Sequence, residues 1–217
     1  MSPEPYGDET EFRTGLERGM AEIGVPYTAA QADALERYAG ELKSWNRKIN
    51  LIGDPDILNR HILDSLSSYA QIRDLAPLSI CDVGTGAGLP GIPLAIVFPE
   101  IRFSLNDRMG KRIGFLRNML PLLGLTKRVE LLNCQVEEVH AQFNLVTFRA
   151  FKGFPQCVSQ VRHLVGEGGS VMVYLGDEVP PGGYTLEKLD FGFLRGTRHL
   201  GIMSRQQIDQ WIRGQQH

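Results

Sequence analysis

Three glycines in five positions, Gly84, Gly86 and Gly88, follow directly on a short apolar run at 79–83 and precede a longer one at 89–97. A strand that ends in such a turn and continues as a helix leaves little choice of architecture. Glycine accepts the left-handed backbone of a sharp turn and lets a ligand approach closely. The helix that follows offers free N–H groups to an anionic group. Beyond the turn the pattern alternates. Strands are expected at 101–106, 128–132, 145–148 and 170–175, and helices at 110–123, 136–142 and 155–165. Strands separated by helices predict a parallel sheet with right-handed crossovers. Two last strands, 184–193 and 199–203, follow the turn Pro180-Pro181-Gly182-Gly183 with no room for a helix between them, and predict an antiparallel pair at one end of the sheet.

The first third reads as helix. Leu35, Tyr38, Leu42, Trp45 and Ile49 recur at spacings of three and four within 29–51, one apolar stripe of an amphipathic helix. Gly53-Asp54-Pro55 breaks it, and Asp54 with Pro55 starts a second helix that carries His61, Asp64 and Ser65 and fades near Ala76-Pro77. The chain therefore divides into a helical cap, 1–76, built onto an α/β domain, 77–217. The three cysteines, with no C-x-x-C, form neither a disulfide framework nor a zinc cage and point to a reducing cytoplasm. No apolar stretch approaches the ~20 residues of a membrane helix, so no membrane partner is expected. Net charge is only −2, but it is unevenly placed. Residues 1–41 hold nine acids against three arginines, whereas 102–128 hold seven bases against Asp107 alone. Such asymmetry fits an anionic partner on one face or a solvated helix face.

The turn admits two ligands. Gly86-Ala87-Gly88-Leu89-Pro90-Gly91 satisfies the dinucleotide pattern G-x-G-x-x-G, although it starts late after the strand. Asp82 with Gly84, Gly86 and Gly88 instead gives the acid-x-Gly-x-Gly-x-Gly loop of S-adenosylmethionine-dependent methyltransferases. Asp107, ending the next strand, could accept the ribose hydroxyls of an adenosine in either case. The antiparallel closing pair favours the methyltransferase sheet. A P-loop is excluded for want of Gly-Lys-Ser/Thr.

Several segments together resemble the GidB/RsmG family of bacterial small-subunit ribosomal RNA guanine-N7 methyltransferases. They are Trp45-Asn46 with Asn50-Leu51, Arg60-His61-Ile62-Leu63-Asp64-Ser65-Leu66, and Asp82 through Leu94 with its Gly-Leu-Pro-Gly-Ile-Pro. Asp107 with Gly110-Lys111-Arg112, Val136-Glu137-Glu138, Arg149-Ala150-Phe151 and Arg198-His199-Leu200 follow in register. The resemblance implies a class I, Rossmann-like methyltransferase fold with a mostly parallel sheet and an N-terminal helical cap. It implies S-adenosylmethionine as cofactor and a guanine N7 in the 530 loop of 16S rRNA, in the small ribosomal subunit, as target. Gly84, Leu89, Val136, Glu137 and Arg149 match family residues that contact the cofactor; Gly86, Gly88 and Asp107 complete the expected set. Leu175-Gly176 stands where the family usually has Lys-Gly, and Gln135 where it usually has an arginine or similar polar residue.

Guanine N7 is a lone pair that carries no proton, so its methylation needs alignment rather than a general base. Arg149, at the end of the fourth strand, with His61 and Asp64, three apart on one helix, form the expected catalytic set; a helix-packing hydrogen bond is the alternative for the latter pair. For Arg149 the alternative is a salt bridge to Glu137 or Glu138. No metal site is expected. Because N7 lies in the deep groove of A-form RNA, the target must be a loop or splayed base. Arg108, Lys111, Arg112 and Arg117 are the expected phosphate contacts, and Phe151 or Phe154 the expected base-stacking residue. A monomer with no obligate protein partner is expected. The competing functions are another S-adenosylmethionine-dependent RNA methyltransferase, an NAD-linked dehydrogenase using Gly86, Gly88 and Gly91, and a non-catalytic RNA-binding module of ribosome assembly.

Overall fold

The computed structural model describes residues 9–149, 156–176, 184–194 and 196–214. Helices α1, Glu9–Ile23, and α2, Ala29–Ile49, come first. A π-helical turn, Leu58–Leu63, then runs into α3, Asp64–Leu66, followed by α4, Tyr69–Leu75. The alternation begins with β1, Ser79–Val83; α5, Gly91–Val97; β2, Arg102–Asn106; α6, Gly110–Leu122; and β3, Val129–Leu132. It continues with β4, Phe143–Arg149; α7, Gln156–Val161; and β5, Val165–Leu175. Strands β6, Thr185–Leu189, and β7, Arg198–Ser204, and helix α8, Arg205–Gly214, complete the described chain.

The described strands form one seven-stranded sheet in the order β3-β2-β1-β4-β5-β7-β6. The first five are parallel; β7 runs antiparallel between β5 and β6. The expected mixed sheet with its antiparallel end is found. Strand order reverses between β1 and β4, and that is where a doubly wound sheet opens a crevice at its carboxyl edge. Side chains alternate between two cores. Ile80, Leu145, Met172 and Tyr174 face one that they share with α1, α2, α4, α5 and α6. Cys81, Val146, Val171 and Val173 face the other, covered by α7 and α8. The N-terminal helices therefore pack on the same side of the sheet as α5 and α6.

Local chemistry sets the ends of α2. Thr28 and Gln31 form a reciprocal capping box at its start. Arg13 of α1 reaches across to Asp33 and Glu36 at 2.7 and 2.6 Å, so part of the acidic excess of the first 41 residues is met within the helical layer. The helix ends at Ile49 rather than 51, because Asn50 adopts the left-handed conformation, φ 51°. Asparagine tolerates this better than most residues.

Four other expectations need correction. The single helix expected from Pro55 to Ala76 is broken into a π-helical turn, α3 and α4, with the Asp64 N–H donating to the carbonyls of Asn59 and His61. The helix expected over 136–142 is one 3-10 turn, Val136–Glu138, because Val139 is already extended and Phe143 opens β4. Strand β5 begins at Val165, not 170; a register shift against β4 absorbs the glycines between, and Gly168 has φ +69°. Strand β6 is confined to Thr185–Leu189, beyond which the stacked rings of Phe191 and Phe193 pack a turn. The tail beyond Ser204, where the sequence pattern points to no element, is helix α8, held by Arg162 to Asp209 through two guanidinium bonds. Pro180 to Gly183 and the two phenylalanines Phe151 and Phe154 lie outside the described residues. Among the described residues no helix is long and apolar enough to cross a membrane.

Gly91, the first residue of α5, tests the closeness of this packing. A Cβ there would collide with Leu105 Cδ2 and lie 2.8 Å from Asp82 Oδ2. Gly91→Ala should cost about 1–3 kcal/mol, read as a fall in melting temperature; an unchanged melting temperature would show that β1 and α5 can separate without penalty.

Candidate functional site

Asp82, near the end of β1, is fully buried. Its Oδ2 accepts from the Thr85 hydroxyl at 2.6 Å and from the Gly91 N–H at 2.9 Å, so one oxygen spans the glycine turn. Desolvation pushes its carboxyl up to about 7, against the opposing pull of those two donors. Its Oδ1 has no partner, nor has the hydroxyl of Thr147, the residue beside it in the β1–β4 register. Gly86, at φ +60°, turns its N–H to Asp107 Oδ2 at 3.0 Å. A Cβ on Gly86 would meet nothing nearer than the Gly84 carbonyl at 3.9 Å and would project into open space.

That space is a cavity of about 740 Å³, within the range of small-molecule sites. Gly84, Gly86, Leu89, Asp107, Val136, Glu137 and Arg149 all line it. Of the expected cofactor-binding residues only Gly88 lies elsewhere. A Cβ there would sit 2.5 Å from Ile92 Cγ1 and 2.8 Å from Leu116 Cδ2. Helix packing, together with a φ of +94°, is thus enough to require glycine at 88.

Asp107 does more than wait for a ribose. Its Oδ1 accepts from the Met109 N–H at 2.8 Å, and Oδ2 takes Arg112 Nη1 at 3.1 Å besides Gly86. The carboxylate therefore ties the glycine turn to the start of α6. Part of its accepting capacity remains for hydroxyls. Arg112, expected on RNA phosphate, is held on this carboxylate at the cavity.

Sequence reasoning missed the far wall. Leu51 and Ile52 line the cavity, and the Trp-Asn…Asn-Leu signature explains how they reach it. Asn50 reverses the chain at the end of α2, and Asn46 Oδ1 accepts from the Ile52 N–H at 2.8 Å. Trp45 meanwhile packs on Phe115 of α6, ring centres 5.7 Å apart. The paired asparagines were the signal; only the structure shows which backbone they capture. Met109 and Cys134 also line the cavity and carried no signal.

Arg149, His61 and Asp64 come together as expected, with Arg149 at the cavity wall and the other two behind it. Arg149 Nη1 donates to Asp64 Oδ2 at 3.0 Å and to the Arg60 carbonyl at 3.2 Å, and Nη2 meets His61 Nδ1 at 3.3 Å. The partner is thus Asp64, not Glu137 or Glu138. The other oxygen of Asp64 takes Arg198 Nε of β7 at 2.9 Å. A nearly buried carboxylate between two arginines leaves one positive charge in excess at the cavity edge. Nδ1 of His61, facing a guanidinium, must accept, so Nε2–H donates to the Asp54 carbonyl at 2.9 Å. Burial, with Arg149 adding to it, holds His61 below its ordinary range and therefore neutral. Tyr174 of β5 donates to the Ser65 carbonyl at 2.9 Å and pins this segment to the sheet. In the sequence Arg198 stands out only within the family-like segment Arg198-His199-Leu200, not as a site residue.

The basic run at 102–128 is divided by the fold. Arg108 lines the cavity, Lys111 is exposed in the first turn of α6, and Arg117 lies further along the helix. Arg102 and Arg128 sit at the opposite edge of the sheet, and Arg128 Nη1 reaches the Phe98 carbonyl. Exposed Arg47 and Lys48, at the end of α2, join the cavity side. Leu175 turns into the α7–α8 core, which accounts for a leucine there. Among the described residues no three His, Cys, Asp or Glu side chains gather as a metal site requires.

A family model described as GidB, rRNA small subunit methyltransferase G, matches residues 31–180. A Salmonella arizonae protein named ribosomal RNA small subunit methyltransferase G is 37% identical over 209 residues, covering 89% of this chain and 98% of its own. One of the same name from Burkholderia ambifaria is 42% identical over 167 residues, 73% of each chain. Among solved structures, a ribosomal protein L11 methylase from Lactobacillus delbrueckii aligns with TM-score 0.50 at 15% identity, over 70% of this chain and 80% of that one. A SAM-dependent methyltransferase from Agrobacterium tumefaciens aligns with TM-score 0.50 at 10% identity, over 66% and 62%. At such identities these two speak to the fold.

Asp82 gives the site a pH signature. An acid held up in the folded state binds its proton where the unfolded chain has released it, so this group's contribution to stability falls as pH rises from about 4 to about 7. Asp82→Asn keeps the shape and removes the ionisation. Its melting temperature minus that of the wild type should grow across this window and level off above it; a constant difference would show that Asp82 does not titrate there.

Proposed function

The chain belongs to the rRNA small subunit methyltransferase G family and is an S-adenosylmethionine-dependent methyltransferase; from that premise we propose that it methylates N7 of a guanine in the 530 loop of 16S rRNA. The observation that carries the reading is the fixed guanidinium of Arg149 on the wall of the glycine-turn cavity. The cavity fits the cofactor in volume, in the open side of Gly86 and in the placement of Asp107. Gly84, Gly86 and Leu89 would hold it on the turn, Asp107 would accept from its ribose, and Val136 and Glu137 would border its base. Bound there, the cofactor supplies a methyl group on a sulfonium for in-line attack.

The chain's own contribution is alignment. N7 loses no proton, so none of the cavity residues has to act as a base, and rate is gained by holding the two reactants in line. Arg149 can donate to a guanine's O6 and leave the N7 lone pair free to attack. Asp64 and neutral His61 keep it in place from behind. Arg108 at the cavity and exposed Lys111 in the first turn of α6 would meet phosphates of a loop. The fold of a dinucleotide enzyme is set aside by β7, which is antiparallel. An RNA-binding module without turnover is separated by assay. Labelled methyl transfer to naked 16S rRNA, 30S particles and 70S ribosomes, with the product located by cleavage at 7-methylguanine, should give one labelled guanine in the 530 loop. Label elsewhere, or none on any of the three, would overturn the proposal.

Arg149→Lys should fold yet lower single-turnover transfer at saturating cofactor at least ~10-fold, about 1.4 kcal/mol. Normal turnover with a lower melting temperature would reduce Arg149 to a structural ion pair. Lys111→Ala with Arg117→Ala should weaken RNA binding and reduce the salt slope by about 0.7–0.9 for each phosphate no longer neutralised, with cofactor affinity unchanged. Arg108 and Arg112 are left out of that pair because Arg108 lines the cavity and Arg112 touches Asp107. A wild-type slope would make this face merely solvated.

A further inference from the structure

We propose that Tyr38, in the N-terminal helical layer, is a positioning residue for the cofactor. Its hydroxyl fixes the Ala87 carbonyl and, through it, the glycine turn on which the cofactor rests. The inference depends on the cavity reading above. Inside a helical turn the carbonyl of residue 87 would accept from residue 90 or 91. Residue 90 is proline and has no N–H. The N–H of Gly91 is already bound to Asp82 Oδ2 at 2.9 Å. The N–H groups of Gly88 and Leu89 both go to the Thr85 carbonyl. The Gly-Leu-Pro-Gly sequence thus leaves a buried acceptor that its own turn does not satisfy. Tyr38 supplies the donor: its hydroxyl lies 2.8 Å from the Ala87 oxygen, and the side chain has no exposed surface.

The donor is rigidly delivered. The ring of Tyr38 packs on Phe115 at 6.5 Å, and Gln31 of the same helix donates to the Ile96 carbonyl at 2.9 Å near the end of α5. Helix α2 therefore grips the turn and the helix it leads into at two points. Burial raises the phenol far above its ordinary range, so it remains a donor at any pH of interest. Ala87 and its neighbours Gly86 and Leu89 line the cavity. The turn accordingly has three anchors from three elements: Asp82 of β1, Asp107 just past β2 and Tyr38 of α2. Removing the third frees a buried carbonyl, and that carbonyl regains a partner only if the turn shifts.

Tyr38→Phe keeps the ring and its packing and deletes the hydroxyl. Calorimetry with S-adenosylhomocysteine should show a dissociation constant about tenfold higher, and saturating cofactor should restore the single-turnover rate. Leu35→Val trims the same buried face of α2 without touching the turn; it should lower the melting temperature and leave the dissociation constant unchanged. Wild-type binding with an unaltered Tyr38→Phe affinity overturns the role of Tyr38 alone, as would equal weakening by Leu35→Val. No binding by the wild-type chain overturns the cavity reading and the role of Tyr38 with it.

Discussion

One desolvated carboxylate organises this molecule. Asp82 stands near the end of β1 with no access to water, and a single oxygen of it joins the Thr85 hydroxyl to the first N–H of α5. Leaving a charge there is unfavourable unless its hydrogen bonds are made, so the glycine turn has few alternatives to closing around it. The close approach of α5 to β1 follows, since Gly91 must come within reach of that oxygen. So does the direction of the turn, which carries Gly86 to Asp107 and thereby sets the start of α6. The cavity is the space left on the open side of this arrangement.

A second carboxylate, Asp64, does for the Arg149 wall of the cavity what Asp82 does for the turn. It is shared by arginines from β4 and β7, strands that run in opposite directions on either side of β5. Helix α3, into which the π-helical segment runs, is fixed to β5 by Tyr174. A buried pair of this kind is weak grounds for a gain in stability, and losing one partner is what becomes expensive. Its clearer effect is geometric: the guanidinium of Arg149 has bonds in three directions and one position that satisfies them.

Much of this was legible because the signals were local. The glycine turn, the strand that precedes it, the alternation behind it and the antiparallel end were all readable from period and spacing. Seven cavity residues expected from the sequence do meet. What failed to show was long-range. Whether a stretch such as 136–142 coils into helix or a single turn depends on where β4 must begin. That packing leaves no room for a side chain at Gly88 depends in part on Leu116, 28 positions away. The split of the basic run followed from strand direction, which charge counting does not contain. The register shift that absorbs Gly166, Gly168 and Gly169 is visible only against β4. The signature asparagines announced importance without showing that Asn46 would hold a backbone N–H and Asn50 would reverse the chain.

Helix α2 is made early in the chain, yet what it binds comes late. Tyr38 needs the turn at Ala87 and the ring of Phe115, and Gln31 needs Ile96. Translation at about 5–20 residues per second puts roughly 4–15 seconds between the synthesis of Tyr38 and that of Phe115. Throughout that interval the apolar face of Leu35, Tyr38 and Leu42 has α1 beside it but not the helix and turn that later cover it. The salt bridges from Arg13 to Asp33 and Glu36 can form in the meantime, because both sides have already been made. They give the growing chain a way to keep its first two helices together, in solution and correctly paired, until the sheet arrives to receive them.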